Sequence, residues 1–142
     1  MSRLAGAAFV VAALICVPAA AEDIAAWFAA SLVEPPPAAA WTARGAVYVP
    51  AYAAIRIGGG KGRLELATTL SIHNVSREAP LVIERIDYHD TAGKRVRAYL
   101  EKPAQLPPLG TYEAVIAERD VAGGTGAKFL IDWSAPAGAP EP

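Results

Sequence analysis

His73 and His89, with Asp87 and Asp90 close by, are the side chains whose types could hold a zinc or copper ion, because histidine and carboxylate are the usual ligands once thiolate is excluded. Their spacing assigns no site. His73 falls among the polar positions of an alternating apolar run, and Asp87, His89 and Asp90 surround a turn, where acidic residues also serve as turn formers. A metal-binding protein or metal-dependent enzyme using His73 and His89 is therefore an alternative reading that needs the two rings to converge. Neither a metal ligand nor a cofactor is assigned. Nucleophilic hydrolysis needs a serine or cysteine beside a base, yet beyond the leader serine occurs only at 31, 71, 76 and 134, never in a nucleophile elbow. Gly123-Gly124-Thr125-Gly126-Ala127-Lys128 lacks the Lys-Ser/Thr ending of a phosphate loop and reads as a turn between strands. Glu84, Glu101 and Glu113 carry no spacing that pairs an acid with a base. No catalytic residue is assigned, and the chain is read as a non-enzyme.

Tyr48, Tyr52, Tyr88, Tyr99 and Tyr112 offer a different chemistry, since a tyrosine packs its ring and still presents a hydroxyl to a partner. Tyr48, Tyr52 and Tyr99 are the candidates for such contact. Phe129, Leu130 and Ile131 are a second candidate set, on the last apparent strand, whose outer backbone groups an added strand could pair. The opposing expectation is that this strand is already flanked on both sides by earlier ones.

These residues must be positioned by one domain, because 142 residues suffice for one ordinary core and not two. The 13 basic and 14 acidic side chains are interspersed, so no basic stripe exists to neutralise phosphates and nucleic acid is not an expected partner. Arg3, an apolar run over residues 4–17, Pro18 and Ala19-Ala20-Ala21 form a signal-peptide layout with cleavage near Ala21. An apolar run of about 14 residues is short of the roughly 20 that span a bilayer, so no stable membrane insertion is expected after cleavage. Ile15 before Cys16 argues against lipid attachment there. Cleavage removes Cys16, the sole cysteine, so the exported chain forms no internal disulfide even in an oxidising compartment. It also removes Arg3, taking 13 basic groups to 12 against 14 acidic ones, a net charge of −2. The expected location is the bacterial periplasm or exterior.

Within residues 22–44, Ile24, Trp27, Phe28 and Leu32 would share one face of a short helix, before Pro35-Pro36-Pro37 opens an extended linker. Strand composition begins at Gly45. Residues 46–50 and 52–57 read as two pieces bent at Pro50, which suggests an edge or a switch between sheets. Gly58-Gly59-Gly60 turns the chain, and Leu64, Leu66, Thr68, Leu70 and Ile72 then alternate with polar or small residues as one half-buried strand. A polar loop over 74–80 precedes a strand at 81–88. The turn Asp90-Thr91-Ala92-Gly93 leads into a partner carrying Val96, Ala98 and Leu100. Residues 103–108 cross over in an extended form, residues 112–117 and 127–133 give two last strands, and 134–142 form a Pro-rich tail. Six or seven short strands without an internal helix predict an all-β, immunoglobulin-like antiparallel β-sandwich over residues 45–133, with Leu70, Ile72, Ile86 and Trp133 in its core.

Val47-Tyr48-Val49-Pro50-Ala51-Tyr52, the run from Leu66 through Ser71-Ile72-His73-Asn74, and Ile86-Asp87-Tyr88-His89-Asp90-Thr91-Ala92-Gly93-Lys94 carry a resemblance, which continues in order through Tyr99-Leu100-Glu101-Lys102-Pro103, Gly123-Gly124-Thr125-Gly126-Ala127, Phe129 and Trp133. Over roughly residues 45–133 the chain resembles an uncharacterised exported bacterial family, domain of unknown function 3124. The resemblance implies export and supplies neither a catalytic residue nor a cofactor. The Pro-rich tail departs from the family pattern, which continues into a further apolar β segment after the position of Trp133. At fold level alone, the chain is also similar to late-embryogenesis-abundant type 2 sandwiches. The function expected is a non-catalytic exported module that binds an unidentified envelope protein or ligand. A structural or stress-protective envelope protein is the other alternative, and the sequence leaves the oligomeric state open.

Overall fold

A computed structural model of the chain describes residues 41–142. The expected signal peptide, the short helix and the linker up to residue 40 lie outside the described residues. Nine strands follow in order, namely β1 (Ala43–Ala51), β2 (Ala54–Ile57), β3 (Gly62–Glu65), β4 (Thr68–His73), β5 (Leu81–His89), β6 (Arg95–Ala98), β7 (Ala104–Leu106), β8 (Thr111–Ile116) and β9 (Ala127–Ala135). All strand pairs are antiparallel. The main sheet has the order β1-β9-β5-β6, and β7 pairs with the other end of the same side of β5. β4 and β8 form the facing layer, and β2 and β3 pair only with each other as a ribbon.

Alternation explains how the layers close. Val47 and Val49 of β1, Phe129, Ile131 and Trp133 of β9, and Ile83, Ile86 and Tyr88 of β5 point inward to meet Leu70 and Ile72 of β4 and Tyr112, Ala114 and Ile116 of β8. In β5 a register shift between Ile83 and Arg85 inserts Glu84, so Ile83 and Ile86 both face inward although three positions apart. Ser134 donates to the Glu84 carboxylate at 2.6 Å and ties this bulge to β9.

The all-β antiparallel sandwich is as expected, with Leu70, Ile72, Ile86 and Trp133 buried. The count rises to nine because two stretches divide differently. Residues 104–106 of the crossing pair with β5, and the single strand expected around residues 64–73 breaks at Leu66-Ala67 into β3 and β4, which belong to different sheets. Leu64 accordingly stands 46% exposed on the ribbon, opposite Ile55. The break between β1 and β2 falls at Tyr52-Ala53, and β1 passes straight through Pro50.

The loop over 74–80 has a buried organiser. The Asn74 side-chain amide donates to the carbonyls of Ala79 and Pro107, each at 2.9 Å, while its Oδ1 accepts from the Ser76 N–H at 3.0 Å. One side chain thus joins the turn after β4 to the turn before β8. In the latter turn, Leu109 holds φ +60°, a left-handed conformation unusual for a leucine, and its N–H donates to the Ser76 carbonyl at 3.0 Å.

Candidate functional site

β1 is the long open edge of the main sheet. It pairs over its whole length with β9, from Ala43 opposite Ala135 to Ala51 opposite Ala127, and with no other strand among the described residues. Pro50 fixes which backbone groups are free. It lies opposite Lys128 without an N–H to donate, so the ladder across it is closed by Val49 and Ala51, and odd-numbered residues of β1 bond to β9. The N–H and C=O groups of Arg44, Ala46 and Tyr48 therefore point away from the sheet, in the pattern a further strand would need. Their side chains stand on the outer face, where the Tyr48 ring is 60% exposed.

Beneath this edge an apolar cleft of about 250 Å³ opens between the layers. Val47, Val49 and Ile131 line it from the main sheet, Leu70 and Ile72 from the facing one, and Val75 from the loop after β4. It exists because the layers are unequal in width: β4 pairs only with β8, and the ribbon that precedes it in sequence leaves the layer instead of extending it. Pro142, beyond the turn that follows β9, reaches the cleft wall.

The candidate residues separate on this frame. Tyr48 and Tyr52, the latter 56% exposed just past the end of β1, are available to a partner. Tyr99 is half-buried: its ring meets Tyr88 and Phe129 edge-on at centroid distances of 6.2 and 5.4 Å, and its hydroxyl reaches the Val115 carbonyl at 3.3 Å. Tyr112 donates to the Tyr99 carbonyl at 3.0 Å and fixes that packing. Burial pushes the phenol pKa values of Tyr88, Tyr99 and Tyr112 above the ordinary value; Asp120 adds to the rise at Tyr88, while Arg97 opposes it at Tyr99. The Tyr88 hydroxyl is buried without a hydrogen-bond partner among the described residues, pressed against Gly123, where a Cβ would not fit.

Strand addition beside Phe129, Leu130 and Ile131 is overturned. β9 lies between β1 and β5, so both of its backbone edges are already paired, and Phe129 and Ile131 point into the core. Leu130 alone of the three reaches the outer face, at 36% exposure between Tyr48 and Asp87.

The polar residues singled out as possible ligands lie apart and make other contacts. His73 lies on β4 and His89 on β5, in different layers, and no group of three or more His, Cys, Asp or Glu side chains gathers for a cation among the described residues. Asp87 is held by Arg85 and Arg95 at 3.5 and 3.4 Å, and Asp90 accepts the Lys94 N–H at 2.8 Å to close its turn. One juxtaposition escaped sequence reasoning, because strand pairing creates it. The Ser71 hydroxyl lies 3.1 Å from His73 Nε2, and Thr111 on β8 lies 3.0 Å from Nδ1. Ser71 donates to Glu113 at 3.2 Å, and the row stands exposed on a strand face, so the contact reads as a cross-strand polar ladder.

An immunoglobulin-like sandwich with a long edge strand that overhangs an apolar slot is the kind of protein that these strands define. Within that class the chain belongs to the family described as protein of unknown function DUF3124, whose model matches residues 44–142. The match runs through residues 134–142, the stretch set apart above as a departure, and β9 itself continues past Trp133 to Ala135. No curated protein and no solved structure matches the chain.

Proposed function

We propose that this protein is an exported, non-catalytic binding module that takes an extended polypeptide segment, apolar at alternate positions, as an added strand along β1. The observation that carries this reading is the open edge itself: outward-facing N–H and C=O groups at Arg44, Ala46 and Tyr48 above an apolar cleft walled by Val47 and Val49. Backbone bonds would supply affinity without regard to sequence, and the cleft would select the inward-facing side chains of the segment. The Tyr48 ring, free on the outer face, would cover the opposite side. Export is supported by Arg3, the apolar run over 4–17 and the small residues before Glu22.

The test is a nuclear magnetic resonance titration of the labelled protein with a synthetic peptide of alternating valine and threonine. Amide shifts at Arg44, Ala46 and Tyr48, with methyl shifts at Val47 and Val49, are the expected result. A control peptide with prolines in place of the threonines should produce neither. Perturbation confined to another surface, or none at millimolar peptide, would overturn the reading.

A further inference from the structure

We infer that the segment this edge accepts is β1 of a second copy, paired antiparallel about Ala46. The inference rests on β1 being the binding edge and adds the identity of the partner. Three features of the edge are self-complementary. In an antiparallel pair centred on Ala46, each Ala46 faces its own copy and Arg44 of one chain faces Tyr48 of the other, twice by symmetry. Every such pair falls on even-numbered positions, whose N–H and C=O groups are free, so all three are hydrogen-bonded pairs.

Side chains agree with that register on both faces. Outside, the exposed Arg44 guanidinium meets the exposed Tyr48 ring across the strands, a cation–π pairing, while the small Ala46 allows approach at the axis. Arg44 joins no ion pair among the described residues. Inside, Val47 of one copy falls opposite Gly45 of the other, whose inward side is covered by the Trp133 indole, so the half-buried valine that walls the cleft gains an apolar neighbour. Pro50 then ends the pairing, since it offers the second copy no N–H. A symmetric register centred on Tyr48 instead would set Pro50 against Ala46 and lose a donor.

Single-cysteine variants of the purified protein, with Cys16→Ser so that the introduced thiol stands alone whether or not residues 1–21 are removed, test both association and register. In hydrogen-bonded antiparallel pairs the Cα atoms lie about 5.5 Å apart, within disulfide reach. Ala46→Cys should therefore oxidise to a covalent dimer at least tenfold faster than Tyr48→Cys, which faces Arg44. Equilibrium sedimentation should show a wild-type dimer at tens of micromolar. Ala46→Pro costs no bond to β9, so it should keep the circular dichroism spectrum while raising the dimer dissociation constant at least tenfold.

Equal oxidation rates for the two cysteine variants, or a wild-type monomer at every concentration, would overturn the inference. Hydrogen exchange separates its failure from that of the binding edge. A monomer whose amides at Arg44, Ala46 and Tyr48 exchange freely leaves β1 open to another partner, whereas protection of those amides in a monomer would mean that the edge is already covered.

Discussion

The tyrosines show at the scale of single residues why composition named candidates without ranking them. Five tyrosines fall in strand-like sequence, and all could pack or bind. The fold divides them by face, leaving Tyr48 outward on an edge and burying Tyr88 at the end of the core. The buried set has a measurable consequence at alkaline pH. Burial favours the neutral phenol, so Tyr88, Tyr99 and Tyr112 have folded-state pKa values above the unfolded value near 10. Their contribution to stability is fully present below that pH and is lost as pH rises through the folded values. Urea midpoints should therefore fall as pH is raised from about 9 to about 11. Because the Tyr88 hydroxyl has no partner among the described residues, Tyr88→Phe should leave stability at pH 7 unchanged or raise it by about 1 kcal/mol, and should make the alkaline fall smaller. A loss of stability at pH 7 would show that the hydroxyl is satisfied.

Between elements, a tight constraint is the pairing of β1 with β9 at Gly45. Trp133 lies directly opposite, and its indole covers the glycine so closely that a Cβ there would sit 2.8 Å from the ring. Gly45→Ala should cost about 1–3 kcal/mol in chemical denaturation, because a rigid buried ring and a continuous ladder must move together. An unchanged midpoint would show that Trp133 can turn aside. This contact also shows where the sequence stops being legible. The alternation at Leu70 and Ile72 announced a buried face because its period is local, and it held. Leu64 shared the same period yet belongs to another sheet, since nothing in an alternating run records the crossing at Leu66-Ala67. The place of β9 between β1 and β5 depends on pairing partners some 40 to 90 residues earlier, which periodicity cannot convey; hence the expected open edge fell on the last strand instead of the first. Pro50 did mark its strand as an edge, because the missing N–H is a property of the residue itself.

The N-terminal sequence makes a prediction for the whole molecule that is independent of the fold. Intact mass or N-terminal sequencing of protein recovered from the exporting cell should begin at Glu22, and retention of residues 1–21 in a membrane fraction would contradict the expected cleavage. The main sheet itself is asymmetric: nine continuous residues of β1 border one side, whereas the other is divided between four residues of β6 and three of β7. A sheet with two long open borders could recruit copies at both and grow without end, as fibrils do. Here the second border is too short and interrupted to template another chain. In the proposed dimer each main sheet would use its β1 border once, so growth of that sheet through β1 would stop after one addition.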